Sequence, residues 1–164
     1  MPRILRLIKP IPEIFKAIAN YDKATGVITN RQGKVIGGKP AGGKYCQVNI
    51  TKHGRYLSHR VAWFLYYGEQ PPNIIDHING DPTDNRIGNL RAATVAENLR
   101  NQAIRKDNTS GFKGVCACPS GNGWTASIRA GKVIHIGTYA TKDEAAIAYA
   151  AASKVLHKEF GRLK

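Results

Sequence analysis

Apolar and polar positions change rhythm several times along the chain, and each change marks an element. Pro12 to Asn20 predicts a short helix. Tyr21 to Asn49 breaks into short β-prone runs, among them Val27-Ile28-Thr29 and Tyr45-Cys46-Gln47-Val48. Thr25-Gly26, Gly33, Gly37-Gly38 and Gly42-Gly43 punctuate these runs as hairpin turns would. Lys52-His53-Gly54-Arg55 reads as a tight turn. The apolar and aromatic stretch from Ser58 to Tyr67 predicts a helix that stops at Gly68, ahead of Pro71-Pro72. Asn73 to Ile78 predicts a strand, Asn79-Gly80-Asp81-Pro82 a turn, and Leu90 to Ala93 the returning strand. Thr94, with Glu97 three positions on, has the signature of a capping box. A helix therefore starts near Val95 and carries Asn98 in its second turn.

Residues 105–110 are polar and without apolar periodicity, which predicts a linker. Beyond them lie three strand-like runs, Phe112 to Ala117, Trp124 to Arg129 and Val133 to Tyr139. A second capping box, Thr141 with Glu144, opens a helix from Lys142 to about Lys158. Ala145, Ala148, Ala152 and Val155 form its predicted packing stripe. Alternation along the second run puts Trp124, Ala126 and Ile128 on one face and Thr125, Ser127 and Arg129 on the other. The expected fold class is α+β, with one domain over residues 1–104 and a second over 111–164.

Charge adds a partner to this picture. The 164 residues hold 25 Lys+Arg against 11 Asp+Glu, a net +14, which points to a polyanion and most simply to nucleic acid. The excess is uneven. Residues 1–69 carry +9, residues 70–108 are neutral and residues 109–164 carry +5. Carboxylates in the middle of a basic chain repel phosphate, and make sense if some of them hold a cation that contacts phosphate. Three cysteines (Cys46, Cys116, Cys118) form no disulfide framework. Cys116-x-Cys118 with His135 lacks the usual spacing of a zinc site. The basic run Met1–Lys9 is interrupted by Pro10 and Pro12 before any signal-peptide core develops, and no apolar run reaches membrane-spanning length. An intracellular protein without a membrane partner is expected.

The stretch from Ile74 to Arg91 contains Asp76-His77, the Asn79-Gly80-Asp81 turn, Asp84-Asn85 and Asn89-Leu90-Arg91, and is followed by Glu97-Asn98. It resembles the HNH endonuclease family, and Ser58-His59-Arg60-Val61-Ala62-Trp63 resembles that family's lead-in. The resemblance covers roughly residues 20–103. It implies a ββα-metal unit, here with an N-terminal β-hairpin extension, that hydrolyses phosphodiester bonds. On it, His77 is the general base, Asn89 orients the imidazole, and Asp76 and Asn98 are the metal ligands. The residue types suit the chemistry. A neutral imidazole accepts a water proton at physiological pH. An oxygen-only ligand pair favours one hard divalent ion, Mg²⁺ or Mn²⁺, over Zn²⁺. Asp81, Asp84 and Asn85 read as turn formers, His59 as scaffold, His53 and His157 as surface residues. Arg60 is expected to contact DNA.

Residues 110–160 resemble the AP2 DNA-binding domain through Ser110-Gly111-Phe112-Lys113-Gly114-Val115, Trp124-Thr125-Ala126-Ser127-Ile128-Arg129 and His135-Ile136-Gly137-Thr138-Tyr139. The Glu144-to-Ala152 run completes the match. That resemblance implies a three-stranded sheet facing DNA with a helix behind it, and makes Lys113, Trp124, Arg129 and Lys132 the contact candidates. Trp124 reads equally as a core residue. Lys113 stands where the family often has Arg, which favours phosphate contact over base reading. Together the two resemblances imply an enzyme of the phage or mobile-element homing type, acting on double-stranded DNA and nicking it if it works as a monomer. A non-catalytic DNA-binding regulator and an RNA-binding protein are the competing readings.

Overall fold

The computed structural model describes residues 9–38, 43–50 and 53–163. The N-terminal run up to Ile8, Gly42 of the paired glycines and Lys52 of the predicted turn lie outside these residues. The architecture is mixed, with small antiparallel sheets and helices. The chain divides into two compact units, Met1–Val95 and Ala96–Lys164.

In the first unit, α1 (Ile14–Ile18) runs into β1 (Ala19–Tyr21), which pairs antiparallel with β2 (Ile28–Asn30). A three-stranded sheet follows in the order β3 (Gly37–Gly38), β4 (Gln47–Ile50), β5 (Gly54–Leu57). Helix α2 (Ser58–Tyr67) ends at Gly68, whose left-handed conformation (φ 77°) closes the last turn at the predicted position. Strands β6 (Ile75–His77) and β7 (Leu90–Ala92) then form a two-stranded ladder, with a 3-10 turn at Ile87–Asn89 between them. Phe15, Ile28, Val48, Val61, Phe64, Ile75 and Leu90 share one core.

The first turns of α2 are covered on all sides: Ser58 through Ala62 are buried. This corrects the expectation for Arg60. Its guanidinium donates to the carbonyls of Pro71 (3.3 Å), Pro72 (2.7 Å) and Asn73 (3.3 Å). Those carbonyls belong to a segment outside any helix or ladder and need partners. Arg60 fastens that segment to α2 rather than facing a phosphate.

In the second unit, α3 (Val95–Asn101), which begins at the boundary, precedes a sheet in the order β10-β9-β8. These strands are β8 (Val115–Ala117), β9 (Trp124–Ala130) and β10 (Lys132–Tyr139). Helix α4 (Lys142–Leu156) packs on the sheet around Val115, Ala126, Ile128, Ala145 and Tyr149. The alternation of β9 is as the sequence predicts: Ala126 and Ile128 are buried with Trp124 packed beside them, and Arg129 is exposed. Trp124 therefore takes its core role.

Two expectations change here. The buried stripe of α4 runs through Ala145, Tyr149 and Ser153, and Val155 is 73% exposed. The stripe follows strict four-residue spacing, which turns Val155 to the far side. His157, read as a surface residue, continues that stripe and is buried. Its Nε2–H donates to Arg129 O at 2.9 Å and Ser153 Oγ lies 3.4 Å from Nδ1, so it ties the helix end to β9. Residues 105–110, read as a linker, carry local hydrogen bonds of their own. Asn108 N–H donates to Arg105 O, and buried Ser110 donates through Oγ to Val115 O at 2.8 Å, folding the segment onto β8.

Both halves of the Thr141–Glu144 capping box are formed. Thr141→Ala is expected to lower the stability of the second unit by about 1 kcal/mol. Chemical denaturation followed by Trp124 fluorescence, with Trp63 replaced by Phe in both proteins, would show it as a lower midpoint at unchanged slope.

Candidate active site

Antiparallel pairing of β6 with β7 sets the site. The register puts Asp76 opposite Arg91 and His77 opposite Leu90. Side chains alternate along β6, yet all three of its residues are buried, so both faces of this strand are covered. Arg91 donates through Nε to Asp76 Oδ2 at 2.9 Å, and its Nη2 lies 2.8 Å from the same oxygen. Neither side chain is more than 13% exposed.

His77 is 6% exposed. Its Nε2 lies 3.3 Å from Asn85 Oδ1, while Asn85 Nδ2 donates to Thr83 O, which fixes which end of the amide faces the ring. With a carbonyl oxygen opposite it, Nε2 carries the imidazole proton and Nδ1 keeps the lone pair. Burial pushes the His77 pKa below its usual 6.5, against the Asn85 hydrogen bond and the charges of Asp76, Asp81 and Asp84, which pull it up. The ring is thus neutral at physiological pH, the state a general base needs.

Asn89 fixes the loop between the strands. Its Oδ1 accepts from Asn79 N–H (2.9 Å), and its amide donates to Asn79 Oδ1 (3.0 Å) and Asp84 O (2.8 Å). Sequence reasoning gave Asn89 the imidazole and Asn85 the turn. In the structure Asn89 holds the turn, and Asn85 supplies the amide oxygen beside Nε2. Asp81 and Asp84 keep their turn-forming roles. Asp81 accepts from Thr83 N–H and Oγ1–H, and Asp84 pairs with Arg86, which holds its pKa down at about 2.

Asn85 is itself held from outside the loop. Tyr21 donates through its hydroxyl to Asn85 O at 2.8 Å. Burial raises the Tyr21 pKa to about 12, so the donor proton stays. Gly26 (φ 75°) approaches so closely that a Cβ there would sit 2.6 Å from Arg86 N and 2.7 Å from the Asn85 carbonyl carbon. Only glycine satisfies both the backbone angle and that contact. The hairpin glycine was visible in the sequence as a turn signal; its partner in the distant loop was not.

Behind His77 stands His59, edge-on at 5.1 Å between ring centroids, with the Tyr45 ring 5.5 Å from His59 and 6.2 Å from His77. His59 is a buried scaffold residue, as its apolar neighbours suggest. Burial first, then His77 and Arg60, push its pKa down to about 3.

Asp76 and His77 are adjacent, with Asn85 and Asn89 around them. Asn98, Lys113, Trp124, Arg129 and Lys132 belong to the second unit. Asn98 is half-buried on α3, Arg129 and Lys132 are exposed, and Lys113 is half-buried. No group of three His, Cys, Asp or Glu side chains among the described residues is placed to hold a metal ion. Asp76 is the carboxylate next to His77 in the first unit, and it offers oxygen donors. Such donors suit a hard ion keeping several of its waters.

Comparison with known proteins bears on this geometry. Residues 56–100 match the family described as HNH endonuclease. The match begins at the end of β5 and covers α2, β6, the loop, β7 and most of α3. Protein 3.8 of Escherichia phage T7 is 36% identical over 73 residues, which is 44% of this chain and 60% of that protein. The chain therefore spans about 60% of that relative's length, less than two thirds. No solved structure matches.

His59 makes stability pH-dependent in the first unit. Its pKa is lower folded (about 3) than unfolded (about 6.5), so its contribution is complete above pH 6.5 and is lost as pH falls toward 3. One such group gives a slope of at most about 1.4 kcal/mol per pH unit. Denaturant midpoints measured from pH 7 to 4 should fall, and less steeply in His59→Gln. An equal fall in that variant would show that His59 is not the cause.

Proposed function

We propose that this protein is a DNA endonuclease that hydrolyses phosphodiester bonds, cutting one strand per active site. The observation that carries the proposal is His77: a buried, neutral imidazole beside Asp76, its tautomer set by Asn85, within the stretch that matches HNH endonucleases. In this reading Nδ1 takes a proton from water as the water oxygen bonds to phosphorus. The bond from phosphorus to the sugar oxygen breaks and the oxygen leaves with a proton from solvent. Asn85 keeps the imidazole proton on Nε2, and Asn89 holds the loop from which Asn85 projects. Asp76 and Asn98 would hold one divalent ion, Mg²⁺ or Mn²⁺, which when bound offsets charge on the phosphate and on the leaving oxygen.

The second unit serves as an AP2-like grip on double-stranded DNA. Arg129 and Lys132, at the exposed end of the β9–β10 hairpin, and the half-buried Lys113 are its cationic contacts. Trp124 supports the sheet from the core side. The working form is a monomer, and a monomer with one site leaves a nick.

Supercoiled plasmid incubated with Mg²⁺ or Mn²⁺ should relax to open circle, and EDTA should prevent it. His77→Ala should slow relaxation by roughly 10²–10⁴-fold while leaving DNA binding intact. The rate should rise with pH through an inflection below 6.5 and then level off, since the deprotonated ring is the active form. Asn85→Leu removes an interaction that raises the His77 pKa, so its inflection should move to lower pH and its plateau should drop. A linear first product would replace nicking by paired cuts. Tight DNA binding with no metal-dependent cleavage would instead make the protein a DNA-binding regulator.

A further inference from the structure

His77 needs more than one contact to act from Nδ1. The bond that carries an imidazole has a broad torsional profile, so the torsion alone does not hold the ring plane. The Asn85 oxygen fixes the tautomer, but at 3.3 Å it makes a long hydrogen bond and a weak restraint on the plane. What packs on the ring therefore decides where the Nδ1 lone pair points. Two rings do so. His59 stands edge-on at 86°, and the Tyr45 ring lies tilted at 35°. Tyr45 also packs on His59, at 5.5 Å between centroids, so the three rings close a triangle.

We infer that Tyr45 is a positioning residue for His77, a ring that holds the imidazole plane and with it the direction of the Nδ1 lone pair. The inference deepens the proposed function and rests on its reading of His77 as the base. Tyr45 lies outside residues 56–100, so the family match assigns it no role. Its place is set by the backbone. Ser58 N–H donates to Cys46 O at 2.9 Å, which extends the β4–β5 pairing and ties Cys46 to the start of α2. Tyr45 is thereby held beside His59, the second residue of that helix. Lys44, itself exposed, keeps its ammonium over the Tyr45 ring, 5.3 Å from the centroid. Tyr45 is the most accessible of the three rings: it is half-buried, while each histidine is 6% exposed. Without it, His77 keeps one edge contact and a long hydrogen bond, and its plane can turn. A base misplaced by about 1 Å loses on the order of 10²-fold in rate, so the plane matters as much as the tautomer. The role asks for a ring and no hydroxyl, because the contacts that carry it are ring on ring.

The test uses the full chain with Mg²⁺ and supercoiled plasmid, protein in excess, so that one round of cutting is timed apart from DNA affinity. Tyr45→Leu should slow cutting by roughly 10–10²-fold at unchanged affinity and melting temperature. Tyr45→Phe, which keeps the ring, should restore most of that rate. In a His77→Ala background Tyr45→Leu should cost nothing further, because no imidazole is left to orient. A residue that only shapes the fold or touches DNA would slow both backgrounds alike. If melting falls in Tyr45→Leu, Tyr45→Met fills more of the space without a ring and takes its place. Proton NMR reads the same claim without cleavage. The His77 ring signals, identified by their loss in His77→Ala, should show cross-relaxation to the Tyr45 ring in the parent. Their contact with His59 should weaken in Tyr45→Leu. The inference is overturned if Tyr45→Leu cuts at the parental rate, if its effect is as large without His77, or if the His77–His59 contact is unchanged. A parent that cuts no DNA would remove the endonuclease reading, and the spectrum would still decide whether Tyr45 fixes the ring.

Discussion

The loop between β6 and β7 has to keep one shape, because His77 stands at its mouth and takes the partner of Nε2 from within it. Asn89 enforces that shape. Both amide hydrogens and the carbonyl oxygen of one side chain close the loop onto Asn79 and Asp84. Each such bond contributes on the order of 1 kcal/mol net, but leaving its partner unpaired in a half-buried loop costs more. The short paired strands could not hold the loop alone: β6 and β7 meet over three residues each. A side-chain network therefore does what a longer ladder would do elsewhere, and the site inherits its precision from it.

That network reaches beyond the matched residues 56–100. Tyr21 and Gly26, on the β1–β2 hairpin, touch the backbone of Asn85 and its neighbour. The chain of influence runs from the hairpin to Asn85 and on to the tautomer of His77. Gly26→Ala is thus a site mutation in effect: the added methyl must push the Asn85–Arg86 peptide, although Gly26 lies some sixty residues away in sequence. The N-terminal strands are part of the machinery that orients the imidazole.

Periodicity and caps made most elements legible. The α2 helix and its stop at Gly68 lie where the pattern puts them, as do the β6–β7 pair, the start of α3, and the three strands and capped helix at the end. These signals are local, set by residues within a turn of one another. What was not legible depended on contacts between distant segments. Arg60 looked like a free cation because nothing near it in sequence shows that the carbonyls of residues 71–73 need donors. His157 looked exposed because its acceptor is the carbonyl of Arg129 on another element. Asn85 and Asn89 were legible as residue types, but their division of labour turns on which amide points inward. Spacing does not encode that.

The carboxylates of the neutral middle segment bring the same lesson to the metal. Read from charge alone, some carboxylate of this segment is a candidate cation ligand in a basic chain. In the folded loop Asp84 is neutralised by Arg86 and Asp81 accepts from Thr83, so both serve the turn. Asp76 alone lies next to His77, and it faces Arg91 across the ladder in a nearly dry setting. Separating that pair is costly, since a buried ion that loses its partner is destabilised by several kcal/mol. An ion approaching Asp76 also meets the positive charge of Arg91. Affinity for a divalent ion should then be low until a phosphate adds negative charge and ligand oxygens. Under the proposed function, metal and DNA would bind cooperatively: Arg91 would disfavour the ion alone, and the DNA backbone would offset it.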